Sequence, residues 1–453
     1  MTTQPALDLD LLRAAVAGAV ITPDEAGWDA ARAAWNLLAD QRPELIVAAA
    51  GPDDVAEAVR YARAQELRAA AQSTGHGAAA PGALTGTLLI RTDGMNDVTV
   101  DPAERTARAG AGARWSDVIA AAAPHGLTGL HGFSAGVGVA GYVLGGGLGW
   151  LARRHGLASD HVRSFEVVTA EGERRHVDAR REPDLFWALR GGGGAGVIVT
   201  SIELELVALR EAYAGALLWP MARAGEVAHA YREWIRTVPD TLTSSLRLMH
   251  FPPLPALPEV LRGRALVQLT LTFVGERRDG DALVAPLRAL SPAIDGVGVV
   301  PAAALGEIAG DPVDPVPDRS RSRLVASLTP DAVDTLVALA DPAVTVLEVR
   351  HLGGALRRPA DPGAAGAVDA EALIFASGVP ATPEQELALE TTFAALDALG
   401  PAADRDTLPT FAGPGDVALP AAATDRLRAI SAAQDPDGVL SSGPTTAGRD
   451  SDS

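Results

Sequence analysis

The sequence predicts an α+β protein built in two parts, and three observations carry that reading. The chain has 453 residues, enough for two domains with well-formed cores, and 47% hydrophobic with 21% charged residues is the balance of an ordinary folded protein. As far as about Leu209, strand and helix patterns are interleaved with glycine-rich turns. From Ala212 onward, strands and amphipathic helices alternate with turn clusters between them, which predicts an antiparallel sheet covered by helices on one face.

Ala6–Ala17 and Asp24–Trp35 read as short helices, the second capped by Thr22-Pro23-Asp24 and followed by acidic first-turn residues. Leu45–Ala50 is an apolar run, Gly51-Pro52-Asp53-Asp54 starts a helix, and Val55–Leu67 carries apolar residues at helical spacing. A strand follows at Arg68–Gln72. Ser201–Leu206 alternates Ile, Leu and Leu with Glu, a half-exposed strand that closes the first part. In the second part, Ala214–Trp219, Ser244–His250 and Ala265–Val274 read as strands, and Ala222–Thr237 and Gly280–Leu290 as helices. Pro312–Pro317 and Pro359–Gly366 are loops, Thr424–Ala433 is the last helix, and Thr445–Ser453 is expected to be disordered. The expected divisions are residues 1–34, 35–210, 211–400, 401–444 and 445–453.

Charge and termini exclude some functions. A net charge of −19 lacks the basic stripe that nucleic-acid binders need to neutralise phosphates. Met1–Asp10 has no basic region ahead of an apolar core, and Leu11–Val20 is too short to span a bilayer, so a cytoplasmic protein without a membrane partner is expected. There is no cysteine. No metal-ligating set stands out, and oligomeric state is not readable.

Two glycine-rich stretches carry the chemistry. In Gln72-Ser73-Thr74-Gly75-His76-Gly77, backbone N–H groups are free of Cβ obstruction, which suits close approach to a pyrophosphate. His76 stands uncrowded between two glycines, where a ring nitrogen can meet a cofactor; a loop histidine bonded to a carbonyl is the other reading. The second stretch, Gly136-Val137-Gly138-Val139-Ala140-Gly141-Tyr142-Val143-Leu144-Gly145-Gly146-Gly147-Leu148-Gly149, reads as a second wall of the same site or as a close-packed turn.

With these loops, the ordered blocks Ile90-Arg91-Thr92, Gly110–Trp115, His131–Ser134, Arg153–Leu157, Val167–Gly172 and Asp184–Gly194 resemble flavoprotein oxidoreductases of the p-cresol methylhydroxylase and vanillyl-alcohol oxidase superfamily, in the berberine-bridge-enzyme-like branch. The resemblance implies a two-part FAD-binding domain of the p-cresol methylhydroxylase type and an α+β substrate domain. It implies that residues 72–77 wrap the FAD diphosphate, that His76 bonds the flavin 8α carbon, and that Gly138, Gly141, Gly145 and Gly146 run beside the isoalloxazine and ribityl chain. Ser134 holds the place of a cysteine that makes a second bond in some members, so any covalent attachment here is through His76 only. Val168, Thr169 and Gly172 fall on the adenine side. Val137 matches a valine that leaves room for dioxygen, which favours an oxidase producing hydrogen peroxide from a small or medium organic substrate, a specialised metabolite by the habits of the branch. A dehydrogenase with another acceptor, or a redox-neutral cyclase or binding protein, is the alternative.

Two departures stand out. Ala195-Gly196-Val197 replaces an Asn-Phe-Gly type of loop, and Leu408–Asp416 carries Phe411 but no tyrosine, so the family's phenolic base has no counterpart there. Catalytic candidates come from the substrate sheet. Gln268, Thr270 and Thr272 share one strand face, lining either a cavity or solvent. In Val346–Ala355, Glu348 and Arg350 share a face, forming an ion pair or serving catalysis, and His351 opposes them as a candidate base. Tyr142 either donates a hydrogen bond to substrate or packs. His131 and His250 complete the set.

Overall fold

The computed structural model describes residues 9–78, 82–255, 257–400 and 404–441. The expected tail, Thr445–Ser453, lies outside them.

The first part contains two sheets. Parallel pairing of Leu45–Ala48 and Arg68–Gln72 with Thr87–Arg91, plus the antiparallel Ala19–Ile21, makes a four-stranded sheet. Helix Pro52–Ala64 crosses between the two outer parallel strands, and its Val55, Ala58, Val59 and Ala62 are buried with Leu45, Val47, Leu88 and Ile90. It begins at Pro52, within the expected start Gly51–Asp54, and the buried Asp54 carboxylate ties it to its surroundings by accepting from the N–H groups of Ala17, Gly18 and Ala50 at 2.8, 2.9 and 2.8 Å. The second sheet is antiparallel, ordered Val98–Asp101, Thr106–Gly110, Val197–Glu205, Val162–Thr169, Arg174–Asp178.

The helix expected over Asp24–Trp35 shrinks to Trp28–Arg32. Gly27 adopts φ +94°, and beyond Arg32 the chain straightens so that Trp35 N–H reaches the Thr74 carbonyl at 2.9 Å. A long-range bond has overridden local propensity.

The second part is an eight-stranded antiparallel sheet. Its centre runs Glu211–Pro220, Ala265–Phe273, Leu242–His250, Val346–His351, Ala372–Gly378, Arg319–Val325. Helices Ala224–Trp234, Arg277–Arg288, Pro330–Ala338 and Pro383–Ala398 cover one face, burying Leu217, Leu246, Leu269, Val349 and Ile374 beneath Val227, Tyr231, Val284, Val333 and Leu389. The other face turns toward the first part, where Phe133, Trp150, Ala214, Leu305 and Ala309 pack in one cluster and Leu148, Leu324, Leu373 and Leu408 in another. This is the α+β, helix-covered antiparallel arrangement that the periodicity predicted.

The closing segment lies on the first part. Asp435 accepts from Val439 and Leu440 N–H at 2.9 and 2.7 Å, and the extended residues then bond Ala69 on both sides.

Candidate functional site

Two loops from different elements meet. The turn after Arg68–Gln72 is held by Thr92 N–H on the Gln72 carbonyl (3.0 Å) and Trp35 N–H on that of Thr74. Gly75 has φ +80°, and a Cβ there would stand 2.8 Å from that of Ala34, so both backbone sign and space require glycine. The second loop is pinned to the start of helix Trp115–Ala122: Trp115 N–H donates to the Val137 carbonyl (3.0 Å) and Val139 N–H to that of Ala113 (2.9 Å). Where they cross, a Cβ on Gly138 would lie 3.0 Å from Ser73 Oγ.

Next to that crossing the backbone is bare. Among the described residues a Cβ on Gly77 or Gly141 would meet nothing within 4 Å, and Gly141 is exposed although Ala140 and Tyr142 on either side are buried. Gln72 Nε2 is buried with no partner among the described residues. Open glycines on both loops, an unused donor and a nearby imidazole form a cradle that fits a diphosphate-bearing, flat cofactor.

His76 lies at the edge of this cradle. Its ring stacks on Trp35 with centroids 4.3 Å apart and 15° between planes, and Nδ1 is 2.8 Å from Thr74 Oγ1. The partner is a hydroxyl, not the carbonyl of the alternative reading. Burial, and then the positive charge of Arg114, pull its pKa down to about 4, so the imidazole is neutral near pH 7 and keeps a lone pair for bonding.

The other loop residues are positioned as follows. Ser134 Oγ accepts from Gly136 N–H at 3.4 Å, and Val137 is half-buried against the core. Gly145 is where the C-terminal run docks, since a Cβ there would stand 2.9 Å from Thr410 Cα; Gly146 has φ +94°. Tyr142 is a packed residue, edge-on to Trp115 at 5.5 Å, with burial raising its pKa and its hydroxyl unpartnered between Gly132 and Gly149. Val168 departs from expectation. Its side chain is fully buried within the antiparallel sheet, paired between Ile198 and Arg174, and belongs to the core rather than to the cradle.

Facing the cradle, the large sheet carries a polar band. Register aligns Gln268, Arg247, Glu348 and Phe375 in one row and Thr270, Ser245 and Arg350 in the next. Gln268, Thr270 and Thr272 are buried, so theirs is not a solvent face, and Gln268 Nε2 is engaged with Thr270 Oγ1 (3.1 Å) and the Ala309 carbonyl (3.2 Å). Glu348 is the hub. It accepts from Ser245 Oγ and from Arg350 Nη2 (2.9 Å), and Arg247 Nε stands 3.1 Å away. Burial opposes its charge, but the guanidiniums of Arg247 and Arg350 outweigh that and hold the carboxyl at about 2. Arg247 has a second carboxylate, Asp311, at 2.7 Å.

Arg350 is enclosed by rings: its guanidinium carbon lies 4.3 Å from the centroid of Phe133, 4.7 Å from Phe411 and 5.4 Å from Phe375. Phe133 stacks in turn on Trp150 at 3.7 Å. His351 is not part of this cluster. Strand alternation puts it with Leu347 and Val349 on the helix-covered face, buried and pushed well below its usual pKa first by desolvation and then by Arg153 and Arg357; this placement removes it as a base at the cradle. His131 Nδ1 donates to the Gly132 carbonyl (2.8 Å), which leaves Nε2 a buried, unpartnered acceptor. His250 ends its strand, half-buried.

Arg247 and the aromatic enclosure escaped sequence reasoning. A signal existed: Ser245 and Arg247 alternate with Leu246 and Leu248 with the same period of two as Gln268, Thr270 and Thr272 with their leucines. Trp35 had none, since its stacking on His76 is a tertiary contact.

A glycine-lined cradle with a neutral histidine at its rim, faced by a polar sheet, defines a flavin-binding class of protein. The family model of the FAD binding domain matches residues 43–178. The chain is 36% identical over 205 residues to (R)-6-hydroxynicotine oxidase of Paenarthrobacter nicotinovorans, 45% of each protein, and so spans about half the length of the curated relatives it matches. The solved structure of 6-hydroxy-D-nicotine oxidase from Arthrobacter nicotinovorans superposes with a TM-score of 0.80 at 25% identity, covering 94% of this chain and 96% of that one. Glucooligosaccharide oxidase from Acremonium strictum, described as holding a 6-S-cysteinyl, 8α-N1-histidyl FAD, shares the fold with a TM-score of 0.78 at 22% identity over 96% of this chain and 98% of its own. Residues 43–178 thus match an FAD binding domain, and over about half its length the chain is similar to FAD-linked oxidoreductases. Among the described residues no helix is long and apolar enough to cross a membrane.

Proposed function

We propose that the protein is an FAD-dependent oxidase that takes a hydride from a small or medium organic molecule and passes the electrons to dioxygen, giving hydrogen peroxide. One observation carries the reading: a neutral imidazole, His76, at the rim of two converging stretches of bare backbone. FAD, when bound, supplies the hydride acceptor. Ser73, Thr74, Gly75 and Gly77 would hold its diphosphate, and Ser134, Val137, Gly138, Gly141, Gly145 and Gly146 its flat portion. His76 would form the single covalent tether, because the chain contains no cysteine for a second.

The chain's own contribution is orientation and exclusion of water. Arg350 brings a buried, incompletely paired guanidinium to the polar band, Gln268 braces that band, and Tyr142 packs behind the glycine loop. Glu348 serves as counter-ion to two arginines and is not free to take a proton. The corresponding run, Leu408–Asp416, holds no tyrosine, which disfavours the tyrosine-dependent sugar oxidases as functional analogues. A cytoplasmic location and a specialised metabolite as substrate remain part of the proposal.

Acid precipitation of the purified protein tests the tether: yellow colour stays in the pellet, and His76→Ala releases it to the supernatant. Stopped-flow mixing of reduced protein with oxygen tests the acceptor; rapid return of the oxidised spectrum supports an oxidase, and slow return reassigns the chain as a dehydrogenase.

A further inference from the structure

Arg350 has more donors than partners. Only one carboxylate among the described residues, that of Glu348, reaches it, through Nη2, and Nε is buried with no acceptor. Glu348 is itself shared with Arg247 and Ser245, whereas Arg247 has Asp311 in addition. A guanidinium donates and never accepts, so whatever completes Arg350 must bring acceptor oxygens. Three phenylalanine rings surround the cation, and two of them, Phe375 and Phe411, are half-buried and form the apolar surface beside it. A carboxylate on a guanidinium makes charge-assisted hydrogen bonds, roughly twice as strong as those between neutral groups, and can take two of its donors at once.

We propose that the substrate carries a carboxylate on an apolar, flat body, with the carboxylate docked on Arg350 and the body against Phe375 and Phe411. This rests on the reading of the space between cradle and sheet as the substrate site. The test uses the purified flavin-loaded protein and two probes, benzoate and its neutral isostere benzamide, followed by isothermal titration calorimetry.

Benzoate is expected to bind at least about tenfold more tightly than benzamide, and Arg350→Gln to abolish that preference. Arg350→Lys, which keeps the charge but not the planar fork of donors, retains part of it. The comparison of the two probes on the unaltered chain needs no variant and survives if Arg350→Gln fails to fold. Equal binding of the probes, or no benzoate binding by a yellow protein, overturns the carboxylate inference and leaves the flavin reading intact. So does an Arg350→Gln protein whose benzoate affinity is unchanged but whose flavin absorbance shifts, since Arg350 then serves the cofactor instead. A colourless protein that ignores added FAD overturns the flavin reading, and this inference with it.

Discussion

The two faces of the eight-stranded sheet are made by the same strands and do opposite work. Leu217, Leu246, Leu269 and Val349 point one way into a continuous apolar core under four helices. Their immediate neighbours, Gln268, Arg247, Glu348 and Arg350, point the other way into a buried polar band facing the glycine loops. A period of two thus separates stability from chemistry by one residue. The helix-covered face is tolerant, because apolar packing is non-directional; the polar face is brittle, because each buried charge depends on a named partner.

The largest expected effect breaks the polar face. Glu348→Ala leaves two buried guanidiniums short of a counter-ion and is expected to cost about 3–5 kcal/mol in urea unfolding. Replacing Glu348 and Arg350 together by leucine and methionine should cost less than the single change; an equal or larger cost would mean that the pair is not energetically coupled. On the opposite face, Leu269→Ala should destabilise by roughly 2–4 kcal/mol through the cavity it opens, while the colour of the acid pellet is unchanged. Loss of bound yellow in that variant would show that the two faces are not separable. Gln268→Leu should cost about 1 kcal/mol, since it leaves only the Ala309 carbonyl and the Thr270 hydroxyl without this partner.

Acid titration separates the two parts of the site. His76, whose pKa falls from 6.5 to about 4, is neutral in the folded protein where the unfolded chain is already protonated. In flavin-free protein its contribution to stability is complete above pH 6.5 and is lost as pH falls toward about 4; His76→Asn should flatten that limb. Glu348 moves from 4.5 to about 2, so its contribution is complete above 4.5 and is lost only as pH falls toward about 2. Because His155, also lowered to about 4, titrates in the same window, the His76 limb is read as the difference between the unaltered chain and His76→Asn across pH 7 to 4; no difference would contradict the assignment.

Much of the architecture was legible because it follows from local pattern. Arg68–Gln72 is the strand that was expected, and Ala265–Phe273 and Leu242–His250 differ from expectation by at most two residues at an end. Asp24–Trp35 was misjudged in length, because the helix competes with a backbone bond from Trp35 to Thr74 that no local rule anticipates. In the site, Ser73–Gly77 and Gly136–Gly146 were visible as glycine spacing, and the facing pair Glu348 and Arg350 as strand alternation. Arg247, Phe133 and Phe411 were not singled out as one cluster, since they lie on separate segments and meet only through sheet register and the docking of the C-terminal run.

By itself the amino-acid order determined which residues alternate, where glycine frees the backbone, that no disulfide or second flavin bond is available, and which superfamily the chain resembles. Tertiary structure alone decided that His76 stacks on Trp35 and is neutral, that His351 faces away from the cradle, that Val168 belongs to the core, and that Arg350 is ringed by phenylalanines. The physical reason is range. Propensity and periodicity act over a few residues, whereas desolvation, ion pairing and ring contacts depend on which distant segments the fold brings within a few ångströms.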